Sequence, residues 1–437
     1  MNRLPPFICS RQRGVSLIEL MVALVIAALL GIGLVQIFGS TRAAFNANTS
    51  LARAQENSRF ALGFINEDLR MAGHLGTRNE QGSQAGAAED PVGNLLFNHT
   101  APAGGTGMPD TAPWAFRLDI PFEAYEFTGT GINVTYTLPD PPVVSTGAGN
   151  WSPALPSELT PLATTALAGS DIIVVRYLSA DFVTLVNRLD RADGMAISSN
   201  MPFVAATGTF FWNSASSPDF IKDQGIYAFS NARAISLFQV ASSATPVGAT
   251  EASATASTAS AWNRRGWQAD RPAGAGGELE NSADYGSLLP VHRYEMVVYY
   301  VAIGAGGEPA LFRRRLNPAN TTTALGDPEE LVPGVESLQV VMGLISLPRA
   351  ADQPEGYATA NQISAVAPST TAAASANWRR VVSARVGLLM RSQLPASRQE
   401  ADITHNVAGT QITPAATDRR LRHVYETQVS LRNRSRG

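Results

Sequence analysis

The chain is short of cysteine, lysine and net charge, and each shortage closes off a class of reading. Cys9 is the only cysteine, so an intramolecular disulfide and a cysteine-built zinc or iron–sulfur site are excluded. Lys222 is the only lysine among 33 basic residues, the rest being arginine. With abundant alanine, this reads as a compositional bias rather than a functional one. The formal net charge is only −3 over 437 residues, which argues against a nucleic-acid partner held by bulk charge. Charged residues make up 16% of the chain and hydrophobic residues 45%. That is enough apolar material for a sizeable core, so global disorder is excluded.

Catalytic patterns are missing too. His74, His99, His292, His405 and His423 are scattered without the spacing of a metal site such as H-E-x-x-H. Neither a G-x-S-x-G elbow nor a G-x-x-x-x-G-K-[ST] loop occurs. Asp190-Arg191-Ala192-Asp193-Gly194 has a faint look of a calcium loop, but its ligand spacing is wrong and the distal Glu is missing, so it reads as a turn. Arg313-Arg314-Arg315 and Arg419-Arg420-Leu421-Arg422 read as a solvated face or as partners of Asp and Glu rather than as a phosphate site. The expectation is a non-enzymatic protein with no cofactor, no metal and no nucleic-acid partner.

What is present begins at the amino terminus. Residues 1–14 carry Arg3, Arg11 and Arg13 and no acid. Residues 15–38 then form an apolar run of 24 residues with a single charge, Glu19. As a helix at ~1.5 Å per residue it crosses a bilayer core of ~30 Å. Basic residues before it and none just inside it place the start in the cytoplasm and the remainder outside. No small-residue cleavage site follows the run, as it would in an ordinary signal peptide; the small residue, Gly14, precedes it. Glu19 is the anomaly, because a carboxylate in an apolar span costs about 2.5–3.5 kcal/mol at the helix centre and less near an end. Either it sits at the interface within reach of water, or it finds a cation. Cleavage after Gly14 would supply one, since the new amino group of Val15 is cationic near neutral pH.

No proline occurs between Pro6 and Pro91. In residues 40–73, Phe45, Leu51, Leu62, Ile65, Leu69 and Ala72 recur near i, i+3, i+4 spacing, with Arg53, Glu56, Arg59, Glu67 and Arg70 mostly elsewhere. Gly73 suits the C′ position. The spanning helix is therefore expected to continue to Ala72, roughly 87 Å if unbroken, with Gly31 and Gly33 as weak points. Beyond it come short β-like runs between turn-rich loops. Candidate strands are 132–137, 171–178, 182–187, 226–229, 234–241, 294–302, 310–316, 338–344, 381–390 and 423–431. Helices do not alternate with them, so an α+β head with a mostly antiparallel sheet is expected. Residues 101–112, 241–261 and 364–376 are rich in Ala, Ser, Thr and Gly and read as surface loops.

Gly14-Val15-Ser16-Leu17-Ile18-Glu19 before an apolar run resembles the signal of type IV prepilins. That resemblance implies cutting by the prepilin peptidase between Gly14 and Val15, methylation of the new terminus, and docking of Glu19, the fifth mature residue, against a neighbouring subunit. Val15 stands where the family more often has Phe or Met. Gln55-Glu56-Asn57-Ser58-Arg59-Phe60-Ala61-Leu62 and Glu67-Asp68-Leu69-Arg70-Met71-Ala72-Gly73 resemble the PilW family of minor pilins. In family order follow Gly169-Ser170-Asp171 with residues 172–177, Tyr299-Tyr300-Val301-Ala302, Leu311-Phe312-Arg313-Arg314, Gly334-Val335-Glu336-Ser337-Leu338-Gln339, Val386-Gly387-Leu388-Leu389 and Val429-Ser430-Leu431-Arg432-Asn433-Arg434. Many family members carry head cysteines; the mature chain here would have none.

The resemblance implies a type IV pilin-like fold in four parts. These are a leader (1–14), a membrane and filament-core helix (15–39), its amphipathic continuation (40–73) and a periplasmic or extracellular β-rich head with low-complexity loops (74–437). It implies a minor pilin that helps to initiate pilus assembly and occupies the tip. The implied partners are other minor pilins, the major pilin, the prepilin peptidase, the inner membrane and a tip adhesin. The implied path is from single-pass inner-membrane residence to the pilus surface. A minor pseudopilin of type II secretion and a surface adhesin tethered by its helix are the alternatives.

Overall fold

A computed structural model describes residues 14–76, 96–98, 100, 112–185, 203–204, 209–214, 219–230, 235–246, 251–256, 260–264, 290–345, 353–365, 377–395, 403–416 and 418–434. The leader with Cys9, the turn at 190–194 and nearly all of 101–112 and 364–376 lie outside these residues.

The expected helix is there as one piece, Leu17–Met71, 55 residues. Gly31 and Gly33 do not break it, because a helix glycine costs only about 1 kcal/mol where no proline interrupts the ladder. Ser16 is extended at the N-cap and Ala72 forms the C-cap. Gly73 takes φ +71°, the left-handed C′ role foreseen for it, and donates its N–H to the Arg176 carbonyl at 3.2 Å.

The buried seam of the helix is narrower than the apolar pattern implies. Ala54, Ser58, Ala61, Ile65, Asp68, Leu69 and Ala72 are buried. Ile65, Leu69 and Ala72 were expected there, and Leu51 and Leu62 flank the seam half-buried. Phe45, also assigned to that face, is 68% exposed. The reason is steric: small residues line the seam, letting strands approach closely, and the aromatic ring is turned away.

Strand Pro290–Ile303 is the spine of a nine-stranded sheet. One edge pairs antiparallel with Ile172–Thr184. The other is shared: Val291–Arg293 pair with Ile226–Ser230, and Val297–Ile303 with Pro309–Arg315. Phe122–Phe127 lies beyond Ile172–Thr184. The pleat sorts side chains between two cores. Ile173, Val175, Val297, Tyr299 and Val301 face the helix. Ile172, Val174, Met296, Val298 and Tyr300 face a second core with Phe116, Trp151, Leu159 and Leu162.

A four-stranded antiparallel sheet (Gly356–Ala358, Val335–Leu344, Val381–Pro395, Arg420–Ser430) brings Leu338, Val340, Met342, Val386 and Leu388 into the helix-side core. Both sheets and the helix seam thus share one core. Pairing among the described strands is antiparallel except for Leu96–Asn98 with Ile235–Gln239 and Thr410–Thr413 with Thr135–Thr137.

Two expectations need correction. Residues 171–178 and 182–187 are not two strands; Ile172–Thr184 is one, with a register irregularity opposite His292 and Tyr294. The low-complexity stretch 241–261 is not a loop throughout. Ser242–Pro246 and Glu251–Thr255 are paired strands, and the second also pairs with Thr209–Asn213. Its Ala252 and Ala254 are buried in a core with Phe210 and Trp212. Low complexity concealed a period-two pattern in which alanine leaves room for aromatic rings.

Candidate functional site

The first site is the outer end of the helix. Gly14 and Val15 precede it, Val15 71% exposed and Gly14 with nothing within 4 Å of a built Cβ. The apolar run starting at Leu17 is long and apolar enough to cross a membrane, and none of it is buried. Glu19 projects from its first turn. The Ser16 N–H donates to Glu19 Oε2 at 3.0 Å, and the Leu20 N–H to the Ser16 carbonyl at 3.1 Å. Ser16-Leu17-Ile18-Glu19 is thus an S-x-x-E capping pattern, a signal readable in the sequence that the prepilin resemblance overshadowed. One carboxylate oxygen serves the chain's own helix end, which the helix dipole also favours. The other accepts no hydrogen bond among the described residues.

The second site is the seat of the helix, where most of the family-like segments converge. Asp68, buried on the seam, accepts the Tyr177 hydroxyl at 2.7 Å and the Tyr299 hydroxyl on its other oxygen. Burial, reinforced by the Asp68 charge, pushes both phenols above their ordinary range. Asn433 directs its side-chain amide at the last helix carbonyls, 3.2 Å from that of Ala72, and so caps a terminus that would otherwise be unsatisfied. The Asn57 amide donates to the Pro333 carbonyl at 3.0 Å.

Buried polar groups also join the two sheets. Asp171 accepts the N–H of Phe127 and of Val340, each at 3.0 Å. Burial and the nearby Glu126 charge push its carboxyl well above the usual range. The Ser337 hydroxyl donates to the Gly169 carbonyl at 2.9 Å. At the far end of the smaller sheet, Glu336 accepts Arg422 at 2.6 Å and Arg391 at 3.2 Å. Asp418 pairs with Arg422, and Glu308 with Arg391 and Arg420.

The arginine clusters are therefore absorbed in part, while Arg315 and Arg419 stay exposed. Arg420 and Arg422 sit in this network, and Arg313 is bidentate to Glu329. His74 and His292, distant in sequence, lie with ring centroids 6.0 Å apart. Each holds a backbone carbonyl through Nδ1, Leu178 at 2.7 Å and Ser179 at 2.8 Å. No group of three or more metal-ligating side chains occurs among the described residues.

Comparison with known families fits both sites. Residues 298–433 match the family model for Type IV Pilus-assembly protein W, PilW. They include the second half of the spine strand, the smaller sheet, the ion network and the Asn433 cap. Residues 9–35 match the Prokaryotic N-terminal methylation motif and enclose Gly14, Val15 and Glu19. No curated protein and no solved structure matches. Both matching families are structural parts of the pilus apparatus. Together with the long apolar helix and β-rich head, these two matches support a PilW-type, prepilin-like protein associated with the type IV pilus.

Proposed function

We propose that the chain is a non-enzymatic minor pilin. The prepilin peptidase cuts it between Gly14 and Val15. The mature subunit rests in the inner membrane with its head in the periplasm. It then joins other minor pilins in a complex that primes assembly at the filament tip. The observation that carries this reading is an exposed apolar helical span, residues 15–38, with Glu19 as its one charge, attached to a head with the PilW match. Such a helix needs lipid or other helices as its solvent. In either, a carboxylate with one uncommitted oxygen favours a cation, and a neighbour's Val15 amine is the one that cleavage creates. The Ser16 N–H holds Glu19 facing the helix end from which that amine would approach.

The test is recruitment of Glu19 variants, read by co-purification with other pilins and by content in sheared pili. Losing one member of a buried charge pair typically costs about 3–5 kcal/mol. Glu19→Ala is expected to be processed to a Val15 start, folded and membrane-resident, yet poorly recruited. Glu19→Gln separates the two uses of the carboxylate, since Gln keeps the cap to Ser16 but not the charge. Recruitment of Gln like wild type would assign the effect to capping. Wild-type recruitment of the Ala variant would end the docking reading.

A further inference from the structure

His74 and His292 belong to different parts of the chain, and the fold sets them side by side. His74 follows the Gly73 turn that ends the long helix, and His292 stands near the start of the spine strand. Between them runs Ile172–Thr184. There Leu178 faces Tyr294 and Phe182 faces His292, so Ser179, Ala180 and Asp181 oppose Arg293 alone. Such a bulge re-aims the groups beside it. Two successive carbonyls at this one are taken by histidines: Leu178 accepts His74 Nδ1 at 2.7 Å, and Ser179 accepts His292 Nδ1 at 2.8 Å.

A carbonyl only accepts, so Nδ1 carries the proton in both rings. In the neutral imidazole Nε2 is then a bare lone pair. His292 is 2% exposed, and its Nε2 has no hydrogen-bond partner among the described residues. Protonated, that nitrogen is a buried donor without an acceptor; unprotonated, it is a buried acceptor without a donor. Either state is costly to leave. Gly76, at φ +75°, keeps the space before it clear, since a Cβ there would lie 2.6 Å from Nε2. The way in is short, because His74 and Gly76 are themselves half-buried. The ring centroids are 6.0 Å apart, with the planes at 78°. Two imidazoles on one ion, with metal–nitrogen bonds of ~2.0–2.1 Å, place their centroids about 5–6.5 Å apart.

We propose that His74 and His292 bind a late first-row divalent cation, of the class of Zn2+ and Cu2+, each through Nε2, with water in the remaining positions. Imidazole suits these ions, whereas Ca2+ and Mg2+ require oxygen ligands. No third histidine, cysteine or carboxylate completes a cluster with the pair among the described residues. A carbonyl on the far nitrogen is the support that metal-bound histidines ordinarily have. The ion ties the exit of the helix to the spine strand, a cross-link in a head that has no cysteine. The expectation of no metal rested on spacing along the chain, which cannot reveal a pair that only the sheet brings together.

The test uses the full chain without a histidine tag, in detergent, stripped of metal by chelation, with Zn2+ alone as the probe. Isothermal titration is expected to show one site per chain. His74→Gln and His292→Gln are each expected to weaken it by about tenfold or more, and His423→Gln, on the smaller sheet, to leave it unchanged. Saturating Zn2+ is expected to raise the Tm of the head by about 2 °C or more, as binding to the folded state alone requires, and to do so in neither Gln variant of the pair. Absence of saturable binding, or binding that either of those variants retains, would overturn the proposal. Should a variant fail to fold, Cu2+ on the wild-type chain decides. Pulsed electron paramagnetic resonance is expected to show two coordinated imidazoles; one or none would remove the site.

Discussion

The two halves of one helix obey opposite rules. Between Leu17 and Phe38 large apolar side chains are exposed, Val35 and Phe38 by 72% and 74%. Between Ala54 and Ala72 most buried positions are small or polar, with Ile65 and Leu69 the large apolar ones, and Asp68 sits among them with two tyrosines. Hydrophobicity alone is thus a poor guide to burial within this helix. The inner half is held by close backbone approach and satisfied polar contacts. The outer half carries apolar surface that finds its environment outside the chain. A carboxylate exists in each half, and the contrast between them can be broken by mutation.

The largest expected effect is on the head. Glu336→Ala leaves Arg391 and Arg422 buried without their shared carboxylate, a loss of about 3–5 kcal/mol. Urea unfolding should show it while membrane residence is unchanged. Glu19→Ala should do the reverse, so two deletions of the same chemical group separate folding from assembly. A head variant of wild-type stability would mean that the network is dispensable.

A smaller effect sharpens the difference in packing. Ala61→Leu adds bulk to a fully buried seam position and should cost about 1–3 kcal/mol. Leu24→Ala removes bulk from an exposed position in the outer half and should leave the unfolding midpoint of the head unchanged. If both variants shift the midpoint alike, the two halves are not separate environments.

The smallest effect is one of pH. Burial lowers the proton affinity of His292 in the folded head, and the neighbouring His74 charge lowers it further against the opposing bond to Ser179. The unfolded chain, near 6.5, therefore takes up this proton first on acidification. Stability is fully present above that value and is lost as pH falls below it. His292→Gln should make the decline that begins near pH ~6.5 shallower, read as the slope of unfolding free energy against pH. An unchanged slope would assign the decline to other groups.

How much of this was legible in the sequence follows from range. The helix and its Gly73 stop were readable because periodicity, caps and the absence of proline are local signals. So were strands such as 294–302 and 381–390, where β-branched and aromatic residues cluster. Phe122–Phe127 was missed because Glu123 and Glu126 break its apolar run, although both are buried. The strand at 251–255 hid behind its composition. Asp68 with Tyr177 and Tyr299 could not be foreseen, because those partners lie 109 and 231 residues away. Glu19 stood out as the one charge of the apolar span and Gly14 as the small residue before it, while their roles in processing and docking came from the family resemblance.

Asn433 gives the seat a kinetic meaning. The helix is among the first segments made, but the amide that closes its inner end arrives 361 residues later. Contacts of such long range form slowly, since the intervening loop must be closed before they contribute. Local bonds serve part of that end, His74 N–H to the Met71 carbonyl at 2.8 Å among them, and the Asn433 contact to Ala72 follows only after the last strand. The inner end of the helix and the end of the head's last sheet are thus closed by the same side chain.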